Sequence, residues 1–264
     1  MSARRRLDAE LVRRGLARSR EHAVDLVSAG RVRVGGRPAT KPATAVEPAA
    51  AIVVDEDHGA RYVSRGAHKL LGALDRFDVA VLARRCLDAG ASTGGFTQVL
   101  LERGAREVVA VDVGYGQLDW SLQRDPRVRV LDRTNVRAVS SQDLGGPVDL
   151  TVADLSFISL RLVLDALLGC TRSDGDALVM VKPQFEVGRG QVGAGGVVRD
   201  PTRRAGAVQA VATTASELGW GTAGVVASPL PGPAGNVEYF LWLRTDAPPL
   251  EPSALAAAVA QGPQ

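Results

Sequence analysis

The sequence predicts an α/β protein: a doubly wound, mostly parallel sheet ending in an antiparallel strand, preceded by a small N-terminal α+β domain. Three observations predict it. Strand-like apolar runs alternate with helix-patterned stretches between residues 85 and 243. A Gly-rich turn, Gly90-Ala91-Ser92-Thr93-Gly94-Gly95, joins the first of those runs to a helix. Charge also shifts along the chain, with 13 Lys+Arg against 8 Asp+Glu in residues 1–65 and 19 against 21 in the remainder. The basic end points to a polyanionic partner for the first segment alone.

The N-terminal elements follow from periodicity. Leu7, Leu11 and Val12 form an apolar helical stripe that Gly15 ends, and Ser19 can cap a second helix carrying Ala23, Leu26 and Val27 as far as Gly30. Val32 and Val34 alternate with Arg31 and Arg33 before the turn Gly35-Gly36, which reads as a hairpin. A Pro- and Ala-rich stretch from Pro38 to Ala51 leads to a last strand at Ile52-Val53-Val54. Ten arginines between Arg4 and Arg37 crowd this unit, so phosphate is its natural counterpart. Aromatics are almost absent, which favours shape and phosphate recognition of folded RNA over base stacking. Residues 1–60 are thus expected to form the first domain and 61–66 a polar linker.

The second domain is expected over residues 67–246. A helix with Leu70, Leu71 and Leu74 on one side opens it, and a strand ending at Asp88 leads through the Gly-rich turn into the next helix. Strands follow at 107–111, 128–131, 148–153 and 177–181. A helix is expected from Ser159 to about Thr171 and another from Thr202 to Leu218. Two consecutive strands, 221–227 and 237–243, suit an antiparallel finish. The Ala- and Pro-rich tail, 247–264, is expected to be peripheral.

Composition excludes several classes. Two cysteines, Cys86 and Cys170, are too few for a disulfide framework and lack metal-ligand spacing, so no metal and a cytoplasmic setting are expected. The basic start has no apolar run behind it, unlike a cleaved signal. The longest apolar tracts are broken by Arg161, Asp165 and Lys182, short of the roughly twenty residues a membrane helix needs, so no membrane partner is expected. A monomer is expected. Of 32 basic residues only Lys41, Lys69 and Lys182 are lysines. A lysine kept in so Arg-rich a chain suggests a need for a compact ammonium, above all at Lys182, inside a motif.

The turn after Asp88 is a small-molecule cradle: its glycines admit close backbone approach, and the N–H groups opening the next helix favour electron-rich atoms. It fits neither the dinucleotide fingerprint nor the P-loop. Asp112, ending the second strand, can accept bonds from ribose hydroxyls. The acid opening the turn suits a cationic ligand, and the motif resembles that of S-adenosylmethionine-dependent methyltransferases, whose cofactor carries a sulfonium and an amino group. Asp88, Gly90, Ser92, Thr93, Gly94, Gly95, Phe96, Asp112, Val113 and Asp132 are the candidate cofactor residues.

Open parallel sheets bind ligands at the carboxyl ends of their strands. Asp154 and Lys182 end strands, Glu238 opens the closing strand, and Lys69 lies near the start of the preceding helix. In-line methyl transfer to a ribose hydroxyl needs a group that removes the proton or orients a lone pair, and a lysine flanked by carboxylates can supply it. The alternative is a structural salt-bridge network at a strand edge.

The whole chain resembles the TlyA family of ribosomal RNA 2'-O-methyltransferases, sometimes labelled hemolysins, and more loosely the FtsJ-like enzymes. About fifty N-terminal residues resemble the small RNA-binding domain named after ribosomal protein S-four, through Arg6-Leu7-Asp8 and Gly30-Arg31-Val32 with Val34 and Gly36. The rest of the likeness lies in Ser64-Arg65-Gly66-Ala67-His68-Lys69-Leu70, the turn after Asp88, Asp112-Val113-Gly114-Tyr115-Gly116, Asp154-Leu155-Ser156-Phe157-Ile158, Lys182-Pro183-Gln184-Phe185-Glu186 and Gly235-Asn236-Val237-Glu238. The resemblance implies a Rossmann-like class I methyltransferase fold, S-adenosyl-L-methionine as cofactor, ribosomal RNA or ribosomal subunits as partner, cytidine as target, and a tetrad of Lys69, Asp154, Lys182 and Glu238. Arg4, Arg6, Arg18, Arg20, Lys41 and Arg65 are candidates for RNA contact, and Tyr115 and Arg133 for bracing a base turned out toward the methyl donor.

Rival functions have signatures of their own. A base N-methyltransferase would carry Asn/Asp-Pro-Pro-Tyr/Phe where this chain has Asp154-Leu155-Ser156-Phe157, and the prolines are missing. A base C5-methyltransferase needs a cysteine beside the cofactor, and neither Cys86 nor Cys170 is so placed. A membrane-lytic protein would need a spanning or long basic amphipathic helix, and none is legible. A noncatalytic RNA-binding factor is disfavoured by the intact acids and lysines.

Overall fold

The computed structural model describes residues 4–17, 19–28, 30–54 and 62–262. Its chain divides into two compact units, Met1–Arg61 and Tyr62–Gln264.

In the first unit the elements are β1 (Arg5–Arg6), α1 (Leu7–Arg13), α2 (Arg20–Ser28), β2 (Val32–Val34), β3 (Arg37–Pro38), β4 (Ala45–Val46) and β5 (Ile52–Val54). The helices bury Leu7, Leu11, Ala23, Leu26 and Val27 around Val32 and Val46, the stripe their spacing predicts. Ser19 Oγ accepts from His22 N–H at 3.1 Å, the cap expected at the head of α2. Strand β2 pairs antiparallel with both β3 and β5, and the β2–β3 turn requires positive φ at Gly35 and Gly36, +58° and +79°. The Pro- and Ala-rich stretch holds a strand that periodicity does not reveal: β4 pairs antiparallel with β1 through two residues each.

The second unit runs α3 (Gly66–Phe77), β6 (Arg85–Ala89), α4 (Gly95–Glu102), β7 (Glu107–Val111), α5 (Trp120–Gln123), β8 (Val128–Leu131), β9 (Val148–Ala153), α6 (Leu164–Gly169), β10 (Thr171–Val181), α7 (Pro183–Glu186), α8 (Pro201–Glu217), β11 (Gly221–Ala227), β12 (Tyr239–Arg244) and α9 (Pro252–Gln261). Seven strands lie in the order β11-β12-β10-β9-β6-β7-β8. The five strands from β10 to β8 are parallel, and β12 is antiparallel to both β10 and β11. Such central strands are apolar on both faces because each face meets a layer of its own. On one, Leu87, Val109, Val179 and Leu241 pack with α6, α8 and α9, while on the other Cys86, Val108, Leu178 and Phe240 pack with α3 and α4. The chain leaves β6 for β7 and β8 and returns on its other side as β9, so the topological switch lies between β6 and β9.

Three expectations are corrected. The helix from Ser159 to Thr171 is a 3-10 turn, Leu160–Leu162, followed by the short α6. Strand β10 begins at Thr171 rather than Ala177, since its polar first half has partners: Asp176 accepts from Trp242 Nε1 at 2.7 Å and pairs with Arg84 and Arg244. The tail is not peripheral, for α9 buries Leu255 and Ala258 in the core and packs on β11 and α8. Among the described residues, no helix is long and apolar enough to cross a membrane.

Candidate active site

The switch between β6 and β9 opens onto the Gly-rich turn. Asp88, the fourth residue of β6, is fully buried. Thr97, in the first turn of α4, donates its hydroxyl to Asp88 Oδ2 at 2.7 Å, whereas Oδ1 is buried without a partner. Burial pushes this carboxyl up to about 7; the Thr97 bond opposes the shift, and the charges of Asp154 and Asp112 add to it. A buried acceptor left open beside a turn calls for a donor or cation from outside the chain.

The turn itself is shaped for close approach. Gly90 has φ +85°, and a Cβ there would lie 2.6 Å from the Asp154 carbonyl oxygen, so only glycine lets this turn pass over the end of β9. Gly94 caps α4 at φ +97°, where a Cβ would run into Leu122 and Leu118; at Gly95 it would meet Ser64. Ser92 is exposed and also left-handed, φ +48°. Thr93 is half-buried, its carbonyl accepting from Asp119 N–H at 3.1 Å. Phe96 is buried and stacks on Phe240, centroids 6.1 Å apart, so its side chain belongs to the core.

Asp112 organises the far wall. Its Oδ2 accepts from Ser92 N–H at 2.8 Å and its Oδ1 from Gly114 N–H at 2.7 Å, binding the turn after β6 to the loop after β7. Asp132, past β8, accepts from Gly116 N–H at 2.9 Å. Val113 and Tyr115 on this loop are exposed, and Arg133 lies 4.3 Å over the Tyr115 ring.

Two lysine–carboxylate pairs stand at the sheet's edge. Lys69 Nζ, on α3, bonds Glu238 Oε2 at 2.6 Å, and both side chains are buried. Lys182 Nζ, just past β10, lies 2.7 Å from Asp154 Oδ1 and donates to Ser156 Oγ at 2.8 Å. The register sets the pairs side by side: Val181 opposes Tyr239, so Lys182 and Glu238 are the next residues on adjacent strands, while Asp154 N–H donates to the Ala89 carbonyl beneath the Gly-rich turn at 3.0 Å. Lys69 and Glu238 are buried together, whereas Asp154 is half-buried and its Oδ1 is left with the charge contact to Lys182.

Sequence reasoning passed over several parts of this region. Ser156 shares Lys182, and Phe157, 81% exposed with φ +65°, leans on Phe185 with centroids 5.3 Å apart. A bulky residue held left-handed at a site marks a backbone aimed for a purpose. Glu186 braces the loop by accepting from Ser159 Oγ and Leu160 N–H, at 2.6 and 2.7 Å. Asn236 is buried and ties down the loop between α7 and α8, donating to the Gly196 carbonyl and accepting from Val198 N–H at 2.8 and 2.9 Å. Ser156 and Phe157 lie in the stretch after Asp154, and Phe185, Glu186 and Asn236 in two others, all of which the sequence marks as motifs without revealing these contacts.

The candidate RNA-contact residues fall into two groups. In the first unit Arg6 and Arg20 both bond Asp8 Oδ2, at 2.8 and 3.0 Å, and their guanidinium groups hold this buried carboxyl down at about 2. Arg4 pairs with Glu47 at 3.2 Å, Lys41 is exposed, and Arg18 lies outside the described residues. In the second unit Arg65 is exposed and donates to the Pro231 carbonyl at 3.4 Å.

The FtsJ-like methyltransferase family matches residues 62–245, and the S4 domain residues 5–52. The chain belongs to the FtsJ-like methyltransferase family. Among FtsJ-like relatives it is 66% identical over 245 residues to the 16S/23S rRNA (cytidine-2'-O)-methyltransferase TlyA of Mycobacterium tuberculosis, covering 93% of this chain and 91% of that one. It is 34% identical over 236 residues to Hemolysin A of Brachyspira hyodysenteriae, covering 89% and 98%. A hemolysin-named protein of Streptococcus thermophilus superimposes with a TM-score of 0.77 at 37% identity, over 99% of this chain and 96% of that one. The Rossmann-like methyltransferase fold and the N-terminal S4 domain expected from sequence are thereby shown.

Proposed function

We propose that this chain transfers a methyl group from S-adenosyl-L-methionine to the ribose 2'-oxygen of a cytidine in ribosomal RNA. The observation that carries the reading is the pair of lysine–carboxylate contacts, the buried Lys69–Glu238 and the half-buried Lys182–Asp154, beside a glycine cradle whose buried acid has an unfilled acceptor. The 66% identical relative, named for this reaction, supports it.

The residues present fit the cofactor. Asp88 Oδ1 offers an acceptor for a cationic group, Asp112 keeps lone pairs for ribose hydroxyls, Gly90, Gly94 and Gly95 leave room, and Val113 and Asp132 complete the wall. When bound, the cofactor supplies an electrophilic methyl group on a sulfonium.

The 2'-hydroxyl must give up its proton and present a lone pair along the line of transfer. Lys182, as the neutral amine, is the group suited to take that proton and become the ammonium paired with Asp154, because Asp154 and Ser156 fix its Nζ at the strand end. Lys69 and Glu238 form the adjoining wall, where a buried ammonium stabilises negative charge developing on oxygen. The first unit then serves as the RNA-contact domain and the second, which already includes the buried Tyr62, as the catalytic one, with Tyr115 and Arg133 bracing the target base. The test is direct: incubate the protein with S-adenosylmethionine and unmodified ribosomal RNA or subunits, then map 2'-O-methyl nucleotides. New 2'-O-methylcytidine supports the reading; methyl incorporation into bases alone, or none, rejects it.

A further inference from the structure

The segment from the end of β7 to the residues just past β8 carries one construction twice. Arg133 stacks over the exposed ring of Tyr115, and Arg124 stacks over the ring of Trp120 with its guanidinium carbon 4.6 Å from the centroid. Trp120 opens α5 and is 67% exposed, while Trp220 is 6% exposed and Trp242 is tied through Nε1 to Asp176. Arg127, a few residues on, is neutralised by Asp125 at 2.8 Å; among the described residues no carboxylate stands against Arg124.

An exposed indole with a guanidinium over it presents both a π-face and an uncompensated positive charge. Nucleic acid satisfies both, since any base stacks on an aromatic face and the adjoining phosphate meets the cation. The plate is also firmly placed. Asp119 caps α5 through Ser121 N–H at 2.9 Å, and Leu118 and Leu122 pack beneath Gly94 of the cofactor cradle. It therefore stands at a fixed position relative to the site, over the sheet edge formed by β8.

We propose that Trp120 with Arg124 is a second RNA-stacking plate, which holds a nucleotide of the substrate other than the one methylated. This rests on the RNA methyltransferase reading above. Trp120 can be followed by its own fluorescence, as the difference between wild type and Trp120→Phe. Acrylamide quenching of that emission is measured with cofactor alone, with protein-free unmodified ribosomal RNA and with ribosomal subunits, while RNA affinity and methylation are measured in the same samples. Ribosomal RNA should shield Trp120 and cofactor alone should not. Trp120→Ala should weaken RNA binding about fivefold or more at unchanged cofactor affinity, the scale of one missing base stack, and Trp120→Phe should restore most of it. Full-strength RNA binding by Trp120→Ala with Trp120 still accessible in the wild-type complex overturns the proposal. So does shielding by cofactor alone, or shielding by subunits but not by protein-free RNA, which would assign the plate to a ribosomal protein. A wild-type protein that binds RNA and methylates it keeps the proposed function standing even when the plate fails; one that binds no RNA overturns both.

Discussion

Replacing Lys182 by alanine removes the amino group that Asp154 and Ser156 hold at the end of β10, while the acids of the cofactor cradle stay in place. Methyl transfer should fall by at least about a hundredfold, as for the loss of a positioned proton acceptor, and calorimetry should find cofactor affinity near that of wild type. Lys182→Arg should be equally inactive, because a guanidinium keeps its proton near neutral pH. Turnover close to wild type in either variant removes Lys182 from the mechanism. Asp88 offers a test by pH. Burial raises its folded-state value from the usual 3.8 to about 7, so between about pH 4 and 7 the folded apoprotein holds a proton there that the unfolded chain has lost. Stability from this group is therefore fully present below about 4 and is lost as pH rises through about 7. A cationic cofactor favours the ionised form, so its affinity should weaken as pH falls from 7 to 5, by up to about tenfold per unit. Asp88→Asn should bind more weakly at neutral pH and show a flat profile; an unchanged, pH-dependent dissociation constant in that variant would exclude Asp88 from the pocket.

At the scale of elements, legibility tracked length and apolar continuity. Strands β6, β7 and β9 are runs of five or six residues buried on both faces, which the sequence displays openly. Strands β1 and β4 have two residues each, too few for alternation to register. The first half of β10 reads as a polar loop because its stabilisation comes from Trp242, Arg84 and Arg244, all distant in sequence. Asp112, Asp154 and Lys182 were legible because they follow strands and Lys69 because lysine is rare in this chain, while Phe157's left-handed backbone and the Glu186 brace depend on contacts that no local pattern encodes. The Gly-rich turn was legible as a turn, but the need for each glycine is set by its neighbours. Gly90→Ala must place a Cβ against the Asp154 backbone while keeping φ at +85°. The variant should lose about 2 kcal/mol or more of stability in chemical denaturation, from left-handed strain plus overpacking, along with most cofactor affinity. A fully stable Gly90→Ala that binds cofactor normally would show that the turn is not the surface the cofactor approaches.

For the whole molecule, the proposed function together with the charge asymmetry, counted over residues 1–65 against the remainder, expects RNA contact chiefly in the first unit and chemistry in the second. The fold makes that division testable, since each unit has a hydrophobic core of its own. Residues 62–264 alone should fold and bind cofactor as the full chain does, yet lose most affinity for ribosomal RNA. Point variants refine the same expectation. Arg6 and Arg20 are both anchored on Asp8, which fixes where their outward N–H groups point, whereas Arg4 rests on the exposed Glu47. Replacing Arg4, Arg6 and Arg20 together by alanine should weaken RNA binding and flatten its dependence on salt, by about one unit of logarithmic slope for each phosphate no longer neutralised. Asp8→Asn keeps every arginine but frees two of them, so it should reduce affinity while leaving the salt slope nearly intact. That outcome would separate arginines that work by position from arginines that work by charge alone. If the truncated protein binds and methylates RNA as well as the full chain, the N-terminal unit is not the recognition domain, and the Tyr115 and Trp120 edge must carry the interaction.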